Sequence, residues 1–318
     1  MQLEAILKSA VDGDASDVHF KVGLPPVLRV NGLLYPFAAS PPLDRDALEA
    51  FAAALCPEHL LARFSGGVEV DFSHNIPNVG RFRVHLFRTR GNPGLVLRHL
   101  PATVRTFREL RLPPALEEIS AAPSGLVLVT GEAGGGKSTT LAAMIDHVNR
   151  RRTVHIVTIE SPIEQVFTDN HSVIDQREVG TDSPSFAAAL RAVSREDANV
   201  VMLSALPDRE TADAALAQAE SGRLVLAVSG GPGGGAAIDR VADLFAPERH
   251  PSAVRRLAAV TRAVISVKLV PGEDGASRLP VLQIVRDFGR ELGREDPAAG
   301  GAPRDSRFGE GERWFQPE

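Results

Sequence analysis

Gly125–Thr140 reads GLVLVTGEAGGGKSTT, a run of apolar, partly β-branched residues that breaks into glycines and then a lysine and hydroxyl residues. Gly131–Ser138 fits G-x-x-x-x-G-K-[ST] without exception. It follows an apolar strand and opens the helical stretch STTLAAMIDHVNRR, the context in which this pattern becomes a phosphate-binding mechanism. Glycines let the loop close until backbone N–H groups and the helix N-terminus point at an anion. Gly131, Gly134, Gly135, Gly136, Lys137, Ser138 and Thr139 are therefore the candidate nucleotide-binding residues. In the mechanism, Lys137 reaches the β- and γ-phosphates and the Ser138 hydroxyl is the metal ligand, for magnesium accompanying ATP. A glycine-rich turn that binds nothing would share the letters without the strand before and the helix after.

Outward from this loop the texture is that of an α/β protein. The runs HIVTIE, NVVML and RLVLAVSG are nearly continuous apolar strands, and helical stretches such as PSFAAALRAVSRE alternate with them. That alternation predicts a mainly parallel sheet covered on both faces. Residues 1–100 differ: a helix over Leu3–Val11, then short alternating runs such as DVHFKVG and GRFRVHLFR, predict a small α+β domain with a mainly antiparallel sheet. DRDALEAFAAALCPEHLLARF has helical spacing, an Asp44 cap and a break at Pro57. Residues 101–115, PATVRTFRELRLPPA, form the candidate linker; 116–292 is the P-loop domain, and 293–318, rich in Gly, Pro and charge, is expected to be disordered.

Composition narrows the classes of function. The chain has 318 residues, 43% hydrophobic and 24% charged, the balance of an ordinary globular protein. Its one cysteine, Cys56, cannot form an intramolecular disulfide and reads as a small buried apolar residue. There is no apolar run long enough to span a bilayer, and the N-terminus lacks the cationic and apolar segments of a leader, so a cytoplasmic protein without a transmembrane segment is expected. A net charge of −5 gives no broad electrostatic reason to bind nucleic acid, which disfavours a helicase or translocase.

Beyond the P-loop, many segments in one order carry a family likeness. ASDVHFKVGLPPVLRVNG, EVDFSHNIPNVGRFRVHLFRTRG, GEAGGGKSTTLAAMID, HIVTIESPIE, DQREVG, LRAVSREDANVVML and AESGRLVLAVSGGPGGGAAIDRVADLF together resemble the secretion ATPases of type II and type IV pilus systems, in particular the PilT-type retraction motors. The resemblance covers about residues 1–285. It implies a PAS-like N-terminal domain followed by a RecA-like P-loop domain, assembled as a homo-hexamer or as a mixed hexamer with a paralogous ATPase. The ring would dock peripherally on an inner-membrane platform protein of the pilus or secretion machine. Arg81, Arg83 and Arg88 match arginines that approach nucleotide from the N-terminal domain, and Glu164 matches the water-activating base. Read from residues alone, the arginines fit the solvated face of a strand equally well, and Glu164 fits a surface charge after a Pro162 turn.

The departures bear on mechanism. Ser161 stands where the family has an aspartate, while Glu160 and Glu164 are kept as candidate catalytic carboxylates. In Walker B the family's two acids fall on Asn199 and Ala205, and its His-box histidine falls on Gly230. Alanine cannot ligate magnesium or its waters, a task for carboxylate oxygen. These losses predict a nucleotide-binding subunit with weakened magnesium ligation and weak or lost hydrolysis. The other readings are an active retraction ATPase, alone or in a mixed ring, and a regulatory or structural subunit that binds no nucleotide. The family's helical subdomain after the last strands is also reduced here to the segment RLPVLQIVRDFGRELGRE.

Overall fold

The structure, a computed structural model, describes residues 2–100, 103–231, 233, 235–272, 278–286 and 313–315. Its contacts divide into two units, Met1–Thr103 with Ser161–Val166, and Val104–Glu160 with Phe167–Glu318.

The first unit runs α1 (Leu3–Asp12), β1 (Asp17–Lys21), β2 (Val27–Val30), β3 (Leu33–Pro36), α2 (Arg45–Leu55), α3 (Glu58–Ser65), β4 (Val70–Ile76), β5 (Gly80–Thr89) and β6 (Asn92–Leu100). Its sheet has the order β3-β2-β1-β6-β5-β4, antiparallel at every pairing. The Asp44 carboxylate caps α2 by accepting from the Ala47 N–H at 2.8 Å, and Pro57 separates α2 from α3. Along β5 the period of two buries Phe82, Val84 and Leu86 against Leu48, Ala52 and Leu55 of α2. Cys56 lies in the same core, where burial pushes its thiol up to about 11.

The opposite face of this sheet is polar, and one charge on it is buried. Asp17, only 4% exposed, accepts from Arg98 Nε at 2.8 Å and Ser16 Oγ at 2.8 Å, with Arg29 Nε 3.7 Å away. Burial by itself pushes this carboxyl up, but the Arg98 and Ser16 hydrogen bonds outweigh it and hold Asp17 below its ordinary value.

The second unit runs α4 (Ala115–Ser120), β7 (Gly125–Thr130), α5 (Lys137–Arg151), β8 (His155–Glu160), β9 (Val173–Glu178), α6 (Phe186–Val193), β10 (Val200–Leu203), α7 (Arg209–Glu220), β11 (Leu224–Val228), α8 (Gly235–Ala242), α9 (His250–Val260), β12 (Thr261–Pro271), β13 (Arg278–Arg286) and β14 (Arg313–Phe315). Among the described residues its sheet has the order β14-β13-β12-β7-β11-β10-β8-β9. Pairings from β12 through β9 are parallel, and β13 and β14 add antiparallel strands at one edge. Alternate residues of β7 enter opposite cores. Leu126 and Leu128 pack with Phe186, Leu190, Leu216 and Leu257, while Val127 and Val129 pack with Leu141, Met144, Ile145 and Leu116. Burial on both faces explains the continuous apolar strands, each large side chain contributing about 1.5–3 kcal/mol.

The segment 101–115, read as a linker, has Pro101 and Ala102 outside the described residues. From Val104 onward it groups with the second unit, where Phe107 and Leu112 are buried in the core. The expectation of a disordered tail over 293–318 falls outside the described residues except at Arg313–Phe315, which pairs with β13. The segment RLPVLQIVR, amphipathic in sequence, is strand β13 with Val281–Val285 buried. Among the described residues no helix is long and apolar enough to cross a membrane.

The sign of the Asp17 effect is set by its lowered value: its stabilising contribution is complete above a pH of about 4 and is lost as pH falls through the folded value. Asp17→Asn should therefore lower stability by about 2 kcal/mol at pH 7, with the gap to the parent narrowing as pH falls below about 4. Urea unfolding at a series of pH values checks this, and a pH-independent gap would contradict it.

Candidate nucleotide site

The P-loop is built by a strand that must turn sharply under its neighbour. At Gly131 the backbone adopts φ +136°, and an added Cβ would lie 2.1 Å from the Val267 carbonyl oxygen of β12, so only glycine passes. The Gly131 N–H donates to the Gly231 carbonyl at 3.2 Å, which ties the loop to the residues after β11. Gly134 and Gly135 carry the loop around, with the Gly135 N–H on the Glu132 carbonyl at 3.1 Å. Gly136, at φ +96°, is the N-cap of the 15-residue helix α5 and brings no side chain to the first-turn amides. A helix N-terminus without a side-chain cap is a favourable place for an anion. Lys137 folds across the loop, its Nζ donating to the carbonyls of Gly131 at 2.9 Å and Glu132 at 2.7 Å. Ser138 is exposed in the same turn.

A cavity of about 300 Å³ opens beside this loop, with Gly136, Thr139 and Thr140 on its phosphate side. Its apolar lining is Leu110 and Leu112 from the turn before α4, Val267 and Leu269 of β12, and Leu279 and Pro280 of β13. Arg105, Glu109, Arg111 and Arg278 supply its charges. Such a slot beside a phosphate cradle suits a nucleoside. Sequence reading placed Thr139 here and missed the turn: Phe107, Leu110 and Leu112 were an apolar signal inside a stretch otherwise marked by prolines.

The register of the sheet sorts the substituted positions. Because β7, β11, β10 and β8 are parallel and in step, residues after their C-terminal ends share the edge that carries the P-loop. Gly230 follows β11, the strand next to β7, and a Cβ there meets nothing within 4 Å. Ala205 follows β10, two strands or roughly 10 Å from β7, and packs half-buried against the core below. Asn199 immediately precedes β10, at the opposite edge, where its Oδ1 accepts from the His155 N–H at 2.9 Å. Of the two positions that the resemblance assigns to Walker B acids, Ala205 alone lies at the P-loop edge. Asp208 cannot replace that acid, since its carboxylate caps α7 by accepting from the Thr211 N–H at 2.8 Å.

The candidate catalytic carboxylates are separated by environment. Glu160 ends β8 at the phosphate edge but is 4% exposed, with its Oε1 accepting from Thr158 Oγ1 at 2.7 Å and Gln176 Nε2 at 3.2 Å. Glu164 groups with the first unit, where it accepts from Arg83 Nη1 at 3.3 Å while Arg83 Nε lies 3.5 Å from Asp71. Arg81 donates to Ser73 Oγ, and Arg88 lies over the Phe64 ring at 4.7 Å. All three arginines stand on β5 of the first unit, whereas Gly131, Gly134, Gly135, Gly136, Lys137, Ser138 and Thr139 belong to the second.

The loop therefore fits a nucleotide: open amides, a lysine hook and a nucleoside slot adjoin one another. The residues fit magnesium less well. Ser138 offers a hydroxyl, Ala205 after β10 offers no ligand atom, and among the described residues no group of three or more His, Cys, Asp or Glu is placed to hold a metal ion.

Residues 71–291 match the family described as type II/IV secretion system protein. The chain is 36% identical over 301 residues to the type IV pilus retraction ATPase PilT of Pseudomonas aeruginosa, an alignment covering 94% of this chain and 87% of that one. It is 34% identical over 285 residues to the type IV pilus ATPase PilU of the same organism, covering 90% and 74%. Among solved structures, the pilus retraction motor PilT with bound ADP superposes with a TM-score of 0.84 at 36% identity, covering 90% of this chain and 83% of that one. The ATPase DotB of Legionella pneumophila gives 0.81 at 26% identity, covering 91% and 81%. The chain belongs to the type II/IV secretion system protein family, within its PilT-like type IV pilus ATPases.

Proposed function

We propose that this chain is an ATP-binding subunit of a type IV pilus or type II secretion machine whose hydrolysis is weak or lost. The observation that carries the reading is the pairing of an intact P-loop with Ala205 at the phosphate edge of β10. The loop's amides and Lys137 bind the phosphates, and the slot over Thr139 takes the nucleoside. Without a carboxylate at 205, the protein's hold on magnesium falls to Ser138. Without a side chain at Gly230, no titratable group follows β11 to report on the γ-phosphate.

Glu164 is the residue that keeps a base's chemistry. It is partly exposed and paired with Arg83 in the first unit. Glu160 has the character of a structural carboxylate, because its buried oxygen is taken by Thr158 and Gln176. Arg81, Arg83 and Arg88 are proposed to reach nucleotide across subunits of a homo-hexamer or of a mixed ring with a paralogous ATPase. That ring would act in the cytoplasm against an inner-membrane platform protein, and a subunit that binds without turnover would tune the ring rather than drive it.

A fluorescent ATP analogue should bind at micromolar concentration, and Lys137→Ala should weaken it about tenfold to a hundredfold by removing a charge-assisted phosphate contact. Absence of binding at millimolar nucleotide would leave the scaffold reading instead. Steady-state hydrolysis by the parent should be barely above background. Ala205→Glu with Gly230→His should raise turnover by about a hundredfold or more. Asn199→Asp, at the opposite edge of the sheet, should leave turnover as it was; a rise from that change alone would contradict the assignment of the defect to Ala205.

A further inference from the structure

One edge of the second unit's sheet is closed by residues from the far end of the chain. β13 has nine residues, and each pairs with β12 on its inner side. Val281–Val285 are buried, with Leu282 and Ile284 in one core and Val285 in the other, so both faces of the strand are covered. An apolar, extended edge of this kind is a template on which a further strand pairs. Among the described residues the outer side of β13 is paired at Leu282–Ile284 alone, by the three residues of β14.

The pairing is antiparallel, with Leu282, Gln283 and Ile284 opposite Phe315, Trp314 and Arg313. A two-residue hairpin would bind such a strand to its own chain. Here residues 287–312 intervene, and the cost of closing a loop grows only slowly with its length, so the chain's own segment has little advantage over one supplied by an adjoining copy. The charges around the two segments are also opposite. In sequence, Glu310 and Glu312 precede Arg313 and Glu318 follows Phe315, while β13 begins at Arg278 and ends at Arg286, which also pairs with Glu118. That complementarity favours the pairing whichever copy provides the strand.

We propose that the outer edge of β13 is a strand-addition site for a second copy of this chain, which places its Arg313–Phe315 there in exchange for the resident segment. Exchange joins the copies by backbone pairing between identical sequences and creates no new surface to be matched. It needs no nucleotide, so it stands or falls apart from the nucleotide-binding reading.

Cross-linking of full chains with a short bismaleimide tests it. A chain carrying Gln283→Cys, mixed with one carrying Trp314→Cys, should give a covalent product of two chains, well above that from either variant alone, because these positions are opposite in the register. Arg313→Pro with Phe315→Pro, added to the second chain, should cut that product by about fivefold or more, since proline cannot donate to the ladder. Ile284→Cys with Arg313→Cys, opposite by the same register, repeats the test where Gln283→Cys fails to fold. If the bridge forms only when both cysteines share one chain, or forms in neither arrangement, the proposal fails. A two-chain product that survives the prolines would come from collision rather than pairing, and would equally overturn it.

Discussion

At Gly131 the chain leaves β7 and slips beneath the Val267 carbonyl with no room for a Cβ, held there by its N–H bond to Gly231. The rest of the second unit is arranged around that passage. The turn aims α5 so that its uncapped N-terminus faces the cleft, and it stacks the loop between β12 and the residues after β11. Parallel register then brings the ends of β11, β10 and β8 to the same edge. On the proposed reading a phosphate site follows from this geometry almost without side chains, because backbone amides and one lysine would do the binding. That is why binding can persist where catalytic side chains have changed.

Hydrolysis depends on what the neighbouring strand ends present, and here sequence and structure divide the work. Local rules made much of the molecule legible. The glycine pattern between strand and helix located the loop, Asp44 and Pro57 marked helix boundaries that the structure keeps, and unbroken apolar runs signalled a sheet covered on both faces. What stayed hidden required knowing direction or proximity. Asn199 and Ala205 look like two halves of one lost motif, yet a strand of four residues places them at opposite edges of the sheet.

The same limit explains the cavity. Prolines flanking 101–115 obscured a turn whose Phe107 and Leu112 join the core, and whose arginine faces a slot completed by β13, more than 160 residues later in the chain. RLPVLQIVR was likewise ambiguous, because a short apolar run fits a strand or a helix until its pairing is seen. Glu160 was a candidate by position, and only the structure adds that it is buried with two donors on one oxygen.

The central claim is that nucleotide is held and left intact. It is tested most directly by mixing excess protein with radiolabelled ATP and magnesium, quenching at intervals and separating ATP from ADP. The account predicts that the label stays in ATP for many minutes while bound to the protein. Conversion to ADP within about a second, the range of ordinary enzyme turnover, would contradict it.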